Sequence, residues 1–79
     1  MSPRAHLLLQ ADPGCAEDVA SYVASLPSVR GASVTSGPYD VIVEVDLTEG
    51  ALARTLALTR RAPGISLVRV CQPALALDA

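Results

Sequence analysis

Ser36-Gly37-Pro38-Tyr39-Asp40, running straight into the alternating Val41-Ile42-Val43-Glu44-Val45, is the stretch whose residue types and order could do chemistry. Gly37 admits a backbone conformation that other residues avoid, and Pro38 fixes its own φ angle. The N–H groups such a loop leaves free can face an anion. Asp40, at the mouth of the strand, can hold a cation. Donors on one side and a carboxylate on the other suit an amino acid zwitterion, whose carboxylate needs N–H groups and whose ammonium needs an acceptor oxygen. The same residues also read as a plain β-hairpin turn in which Asp40 caps its own loop backbone. These five residues do not separate the two readings, so the rest of the chain must.

The other reactive side chains are sparse. His6 is the only histidine, so a metal site would have to recruit carboxylates from distant segments. Gly14-Cys15 is similar to the start of a heavy-metal loop, but Asp18 stands where a second cysteine would be needed. Cys15 and Cys71 form neither a CxxC pair nor a disulfide framework, which indicates a reducing compartment and a cytoplasmic location. Cys15 near a helix start could be a reactive thiol or simply a small helix-start residue. Tyr22 reads as core, whereas Tyr39 could line a pocket or cover the hairpin. No cofactor motif is present.

The net charge of -2 and six scattered basic residues, all arginine, leave no basic footprint for nucleic acid. Arg60-Arg61, the one adjacent pair, falls at a predicted helix end and complements the helix dipole there. Leu7-Leu8-Leu9 is too short for a signal peptide core, and no apolar run approaches membrane-spanning length.

These residues must be positioned by short elements. His6 to Ala11 reads as a strand, and Asp12 as the N-cap of a helix with Pro13 in its first turn and Val19, Tyr22, Val23 and Leu26 as its apolar stripe. Pro27 stops that helix. Val29 to Thr35 and Val41 to Asp46 form an antiparallel hairpin around the glycine loop, with Val41, Val43 and Val45 on a dry face and Asp40, Ile42, Glu44 and Asp46 on a mixed one. Asp46 and Glu49 have capping-box spacing, with Thr48 as a rival cap. The second helix carries Leu52, Thr55, Leu56 and Thr59 as its stripe, ends at Pro63-Gly64, and is followed by a strand from Ile65 to Gln72.

The order β-α-β-β-α-β implies one α+β domain: a ferredoxin-like βαββαβ sandwich, a four-stranded antiparallel sheet with two helices on one face. At 79 residues and 51% hydrophobic, yet without Trp or Phe, the chain carries more apolar surface than so small a core absorbs. The uncovered face, expected to bear apolar residues from all four strands, would then pack on a second copy about a two-fold axis, as in a dimeric α+β barrel.

Pro13-Gly14, Val29, the run Val34-Thr35-Ser36-Gly37-Pro38-Tyr39-Asp40-Val41-Ile42-Val43 and Pro63-Gly64-Ile65 together resemble the ligand-binding (RAM) domain of the Lrp/AsnC feast/famine transcription regulators. The likeness spans nearly the whole chain, and Gly-x-Tyr-Asp carries most of its specificity. Read this way, residues 1–79 are a single stand-alone RAM domain with no room for a helix-turn-helix. The resemblance implies a homodimer assembling further into an octamer-like ring, an amino acid or related effector at subunit interfaces, and possible hetero-assembly with a full-length Lrp/AsnC regulator. It implies a role in transcriptional regulation without direct nucleic acid contact and without a membrane.

By the same resemblance the effector-responsive positions are Val34, Gly37 and Asp40 on the loop, with Cys71, Gln72 and Pro73 on the last strand of a neighbouring subunit; Tyr39, within the loop, joins the candidate ligand-binding residues. Val70-Cys71-Gln72-Pro73 departs there from the polar-aromatic pair common in the family. Two rival readings remain open: a dimeric α+β barrel enzyme, such as a small monooxygenase, for which no catalytic constellation stands out, and a bare oligomerisation module that binds nothing. The expectation is a non-enzyme.

Overall fold

The computed structural model describes residues 4–47 and 50–71. Alternation builds the sheet. Strand β3 (Val41–Asp46) buries Val41, Val43 and Val45 completely, while Ile42 and Glu44 face the other way. Strand β1 (Arg4–Ala11) repeats the pattern, with Ala5, Leu7 and Leu9 fully buried. β1 pairs antiparallel with β3, Leu7 opposite Val43 and Leu9 opposite Val41, so the two buried sets lie side by side. Strand β2 (Val29–Val34) adds to the outer edge of β3, and β4 (Ile65–Cys71) to the other edge of β1, giving the order β2-β3-β1-β4.

Helices α1 (Ala16–Ala24) and α2 (Ala51–Thr59) complete the expected ferredoxin-like α+β architecture. Val19, Ala20 and Val23 of α1 join Leu7, Leu9, Val41, Val43 and Val45 in the core. Truncating one of the leucines to alanine there should cost about 2–5 kcal/mol. Tyr22 is half-buried, and its hydroxyl donates to the Leu58 carbonyl oxygen at 3.1 Å, tying α1 to α2.

Two helix details depart from expectation. Asp12 is not the N-cap of α1: Gly14 takes φ +81°, the Cys15 N–H donates to the Asp12 carbonyl at 2.9 Å to close a turn, and Cys15 occupies the cap without a side-chain bond. A left-handed residue cannot continue a right-handed helix, so the helix begins after it. In α2 the fully covered residues are Ala51, Thr55 and Thr59, whereas Leu52 and Leu56 are half-buried. Thr55 and Thr59 of the expected stripe are thus covered as expected, while Ala51 takes the third covered position and the two leucines sit at the stripe's margin. Gly50, with φ +74°, caps α2 without a side-chain bond; Asp46 belongs to β3, and Thr48 and Glu49 lie outside the described residues.

The turn before α1 is jammed against the turn before β4. The Asp12 N–H donates to the Gly64 carbonyl oxygen at 2.7 Å, and a Cβ on Gly64 would stand 2.7 Å from Cys15 Cβ. Only glycine permits this approach, and its φ of +88° requires glycine as well.

The open face of the sheet is more polar than expected. Leu8, Ile42 and Leu67 come from β1, β3 and β4, but β2 offers only Gly31 and Ser33 there, by register with Glu44 and Ile42. Arg4, His6, Gln10, Glu44 and Arg69 share that face by the same register. Alternation explains the difference: the apolar residues of β2 fall at Val29, Ala32 and Val34, which pair with Val45, Val43 and Val41 on the helix side. No helix among the described residues is long and apolar enough to cross a membrane.

Candidate functional site

The loop between β2 and β3 is closed by its own ends and pinned to β1. The Thr35 N–H donates to the Asp40 carbonyl oxygen at 2.8 Å, and the Thr35 hydroxyl to that of Tyr39 at 2.8 Å. The Gln10 side-chain amide donates to the Pro38 carbonyl oxygen at 2.7 Å. Gly37 sits at φ +119°, a conformation that strains any other residue, yet a Cβ there would meet nothing within 4 Å. Among the described residues, none accepts from the N–H groups of Ser36, Gly37 or Tyr39. These donors are available to a ligand.

Asp40 has a partner that the loop sequence does not suggest. Its Oδ2 accepts from the Ala11 N–H at 2.8 Å, and its own N–H donates to the Leu9 carbonyl oxygen at 2.8 Å. The β1–β4 register shifts between Gln10 and Ala11, and Asp40 satisfies the Ala11 N–H at that irregularity. The carboxylate thus caps a neighbouring strand and not its own loop. Its other oxygen has no hydrogen-bond donor among the described residues, which leaves it an acceptor.

At the end of β2 that leads into the loop lies an open groove of about 340 Å³ lined by Gly14, Ala16, Glu17, Asp18 and Val34, with none of residues 35–40 in its lining. Val34, at the end of β2, is 49% exposed and forms one wall; the first turn of α1 forms the other. The size suits a small metabolite. A second recess, between Pro27-Ser28 and Ala51, Arg54, Thr55 and Leu58, has about 10 Å³ and holds at most a water. The ion pairs among the described residues lie elsewhere, at Arg4–Glu44 (2.8 Å) and Arg30–Asp46 (3.5 Å). The Arg4 hydrogen bond holds the Glu44 carboxyl below the usual glutamate range.

Val34 ends β2, and Gly37, Tyr39 and Asp40 lie in the loop that follows it. Cys71 is not near them: β4 is the sheet edge opposite β2, and Cys71 pairs with His6, towards the far end of β1 from Ala11. Gln72 and Pro73 lie outside the described residues. Gln10, Ala11 and the groove residues Glu17 and Asp18 were not anticipated as parts of the site. The Gln10 and Ala11 contacts are long-range, and no local pattern announces them; the Pro13-Gly14 turn was the one available signal for the groove.

Hypothetical protein PHS023 from Pyrococcus horikoshii matches with a TM-score of 0.72 and 26% identity over 92% of this chain and 90% of that one. FFRP-DM1 matches with a TM-score of 0.70 and 27% identity over 86% of this chain and 93% of its own. Escherichia coli AsnC superposes with a TM-score of 0.76 at 15% identity, over 99% of this chain and 56% of AsnC. The fold is one that AsnC shares. This chain spans about half the length of AsnC, and structural neighbours from the Lrp/AsnC family support the resemblance at the level of fold. In sequence, no protein-family model and no curated protein matches the chain.

Proposed function

We propose that this is a RAM-type regulatory domain that binds an amino acid or related metabolite and assembles with copies of itself, acting in transcriptional regulation without touching DNA. The observation that carries this reading is the Thr35–Asp40 loop, with free N–H donors and a carboxylate oxygen to spare. The ligand's carboxylate would meet the N–H groups around Gly37 and its ammonium the free oxygen of Asp40. The fold shared with AsnC and FFRP-DM1 supports a regulatory module.

Cys71, Gln72 and Pro73 would reach the site from a neighbouring subunit, since Cys71 of the same subunit stands at the opposite sheet edge. A dimer through the open sheet face, an octamer-like ring and hetero-assembly with a full-length regulator follow from the same reading. The free thiols of Cys15 and Cys71 suit a reducing, cytoplasmic setting.

A thermal-shift screen against amino acids and related metabolites, beside native mass spectrometry, tests the proposal. Stabilisation by one ligand class, in dimers or multiples of dimers, is expected. Asp40→Asn keeps an oxygen for the Ala11 N–H but removes the charge, so it should lose the ligand-dependent shift while melting near wild type without ligand. An undiminished shift in that variant would remove Asp40 from the site, and multimers with no response to any ligand would leave only an assembly module.

A further inference from the structure

α1 packs over β2 and β3, which leaves the β1–β4 half of the helix side to α2. That half is incompletely covered. Val70, the register partner of fully buried Leu7, is 37% exposed, and Val68, the partner of Leu9, is half-buried. α2 turns Ala51, Thr55 and Thr59 inward, while Arg54 and Leu58 line the recess against Pro27-Ser28 on its α1 flank. Leu52 and Leu56 stand about 100° further round the helix than Ala51 and Thr55, on the opposite flank, and are half-buried too. β3 and β4 run parallel, and α2 returns between them, so Leu52 lies towards Val70 and Leu56 towards Val68. Four aliphatic side chains thus border a shallow apolar groove along the outer edge of β4. That edge has no strand partner among the described residues.

The sequence continues from Cys71, at the Val70 end of this groove, as Gln72-Pro73-Ala74-Leu75-Ala76-Leu77-Asp78-Ala79. Residues 72–79 lie outside the described residues. Proline cannot donate to a ladder and favours turns, and the alternation of alanine with leucine after it has the period of a strand. A hairpin centred on Gln72-Pro73 sets Leu75 across from Val70 and Leu77 across from Val68, so both leucines fall on the helix side, beside Leu52 and Leu56. Ala74 and Ala76 fall on the open face. Asp78 falls diagonally across from Arg69, which makes no ion pair among the described residues. A register one residue out would turn both leucines to the open face and leave the groove bare.

We infer that residues 74–79 fold back on their own chain as a fifth strand along the free edge of β4, with Leu75 and Leu77 closing the groove between α2 and β4. The strand removes an exposed edge and holds the Gln72-Pro73 turn at the corner of the sheet. Use of that turn by a neighbouring subunit rests on the function proposed above; the docking itself does not.

The test is methyl NMR of the 79-residue protein without ligand. Cross-peaks are expected from Leu75 to Val70 and from Leu77 to Val68, and they should vanish when the spectra are filtered for contacts between labelled and unlabelled copies. In a Leu75→Asp, Leu77→Asp double variant, the outward amides of β4 should exchange about tenfold faster or more, with β1–β3 protection unchanged as the control for folding. Contacts between copies only would make the strand a swapped one and overturn the inference. Contacts of either leucine with Ile42 or Leu67, no contact with β4, or unaltered β4 exchange in the variant would overturn it as well. No amino acid enters the assay, so its outcome is separate from that of the ligand-binding proposal.

Discussion

Gly37 and Gly64 both hold positive φ angles in Pro/Gly turns, yet they sit in opposite surroundings. A side chain on Gly64 would strike Cys15, whereas one on Gly37 would enter open space. The first glycine lets two turns touch, so its need is steric and internal. The second only sets the course of the backbone, leaving empty space at the loop's surface. A turn built to support the core leaves no room, and a turn suited to receive a ligand does.

The largest test of that contrast is Gly64→Ala. It combines a left-handed strain with a clash against a Cβ that cannot swing away, so a loss of about 2–4 kcal/mol is expected in chemical denaturation. In a Cys15→Gly background the same change should cost less, because the obstructing Cβ is gone; an equal cost would show that the approach is not the cause. Next comes Asp40→Ala, which orphans the Ala11 N–H and should lose about 1–3 kcal/mol, while Asp40→Asn restores most of it. If Ala and Asn prove equally destabilising, the loop's hold on β1 does not run through that bond.

Gly37→Ala, with no clash to relieve, should cost only about 1 kcal/mol from backbone strain, and no change at Cys15 should alter that. A loss as large as that of Gly64→Ala would erase the distinction. The smallest effect lies away from both turns, at Arg4–Glu44 on the sheet face. Because the folded protein holds Glu44 below its ordinary pKa, the pair's contribution is complete above the glutamate range and fades as pH falls through and below it. Glu44→Gln should therefore melt slightly below wild type at neutral pH, and the gap should close in acid.

The sheet was legible because its rule is local: alternation in Val41–Val45 assigns faces residue by residue. The fold order followed from turn residues for the same reason. What stayed hidden depends on distant contacts. Asp12 looks like a cap until Gly14 turns left-handed. Of the stripe Leu52, Thr55, Leu56 and Thr59 expected on α2, the two threonines are fully covered but the two leucines only half, and Ala51 is covered instead. At the site, the loop's glycine and carboxylate could be found by type, while the Asp40 bond to Ala11 could not, because it answers a register shift that exists only once β1 and β4 have paired.

That pairing also has a consequence for biosynthesis. β1 is a central strand, bonded to β3 on one side and to β4 on the other, and the whole of the intervening chain separates it from β4. While the polypeptide is still emerging from a ribosome, β1 and β3 can join, but the other edge of β1, with Leu7, Leu8 and Leu9 along it, stays unpaired until Ile65–Cys71 has left the exit tunnel. A nascent chain arrested before β4 would present a bare strand edge to its neighbours, and polysomes crowded with such chains would be where this protein is most exposed to misassembly.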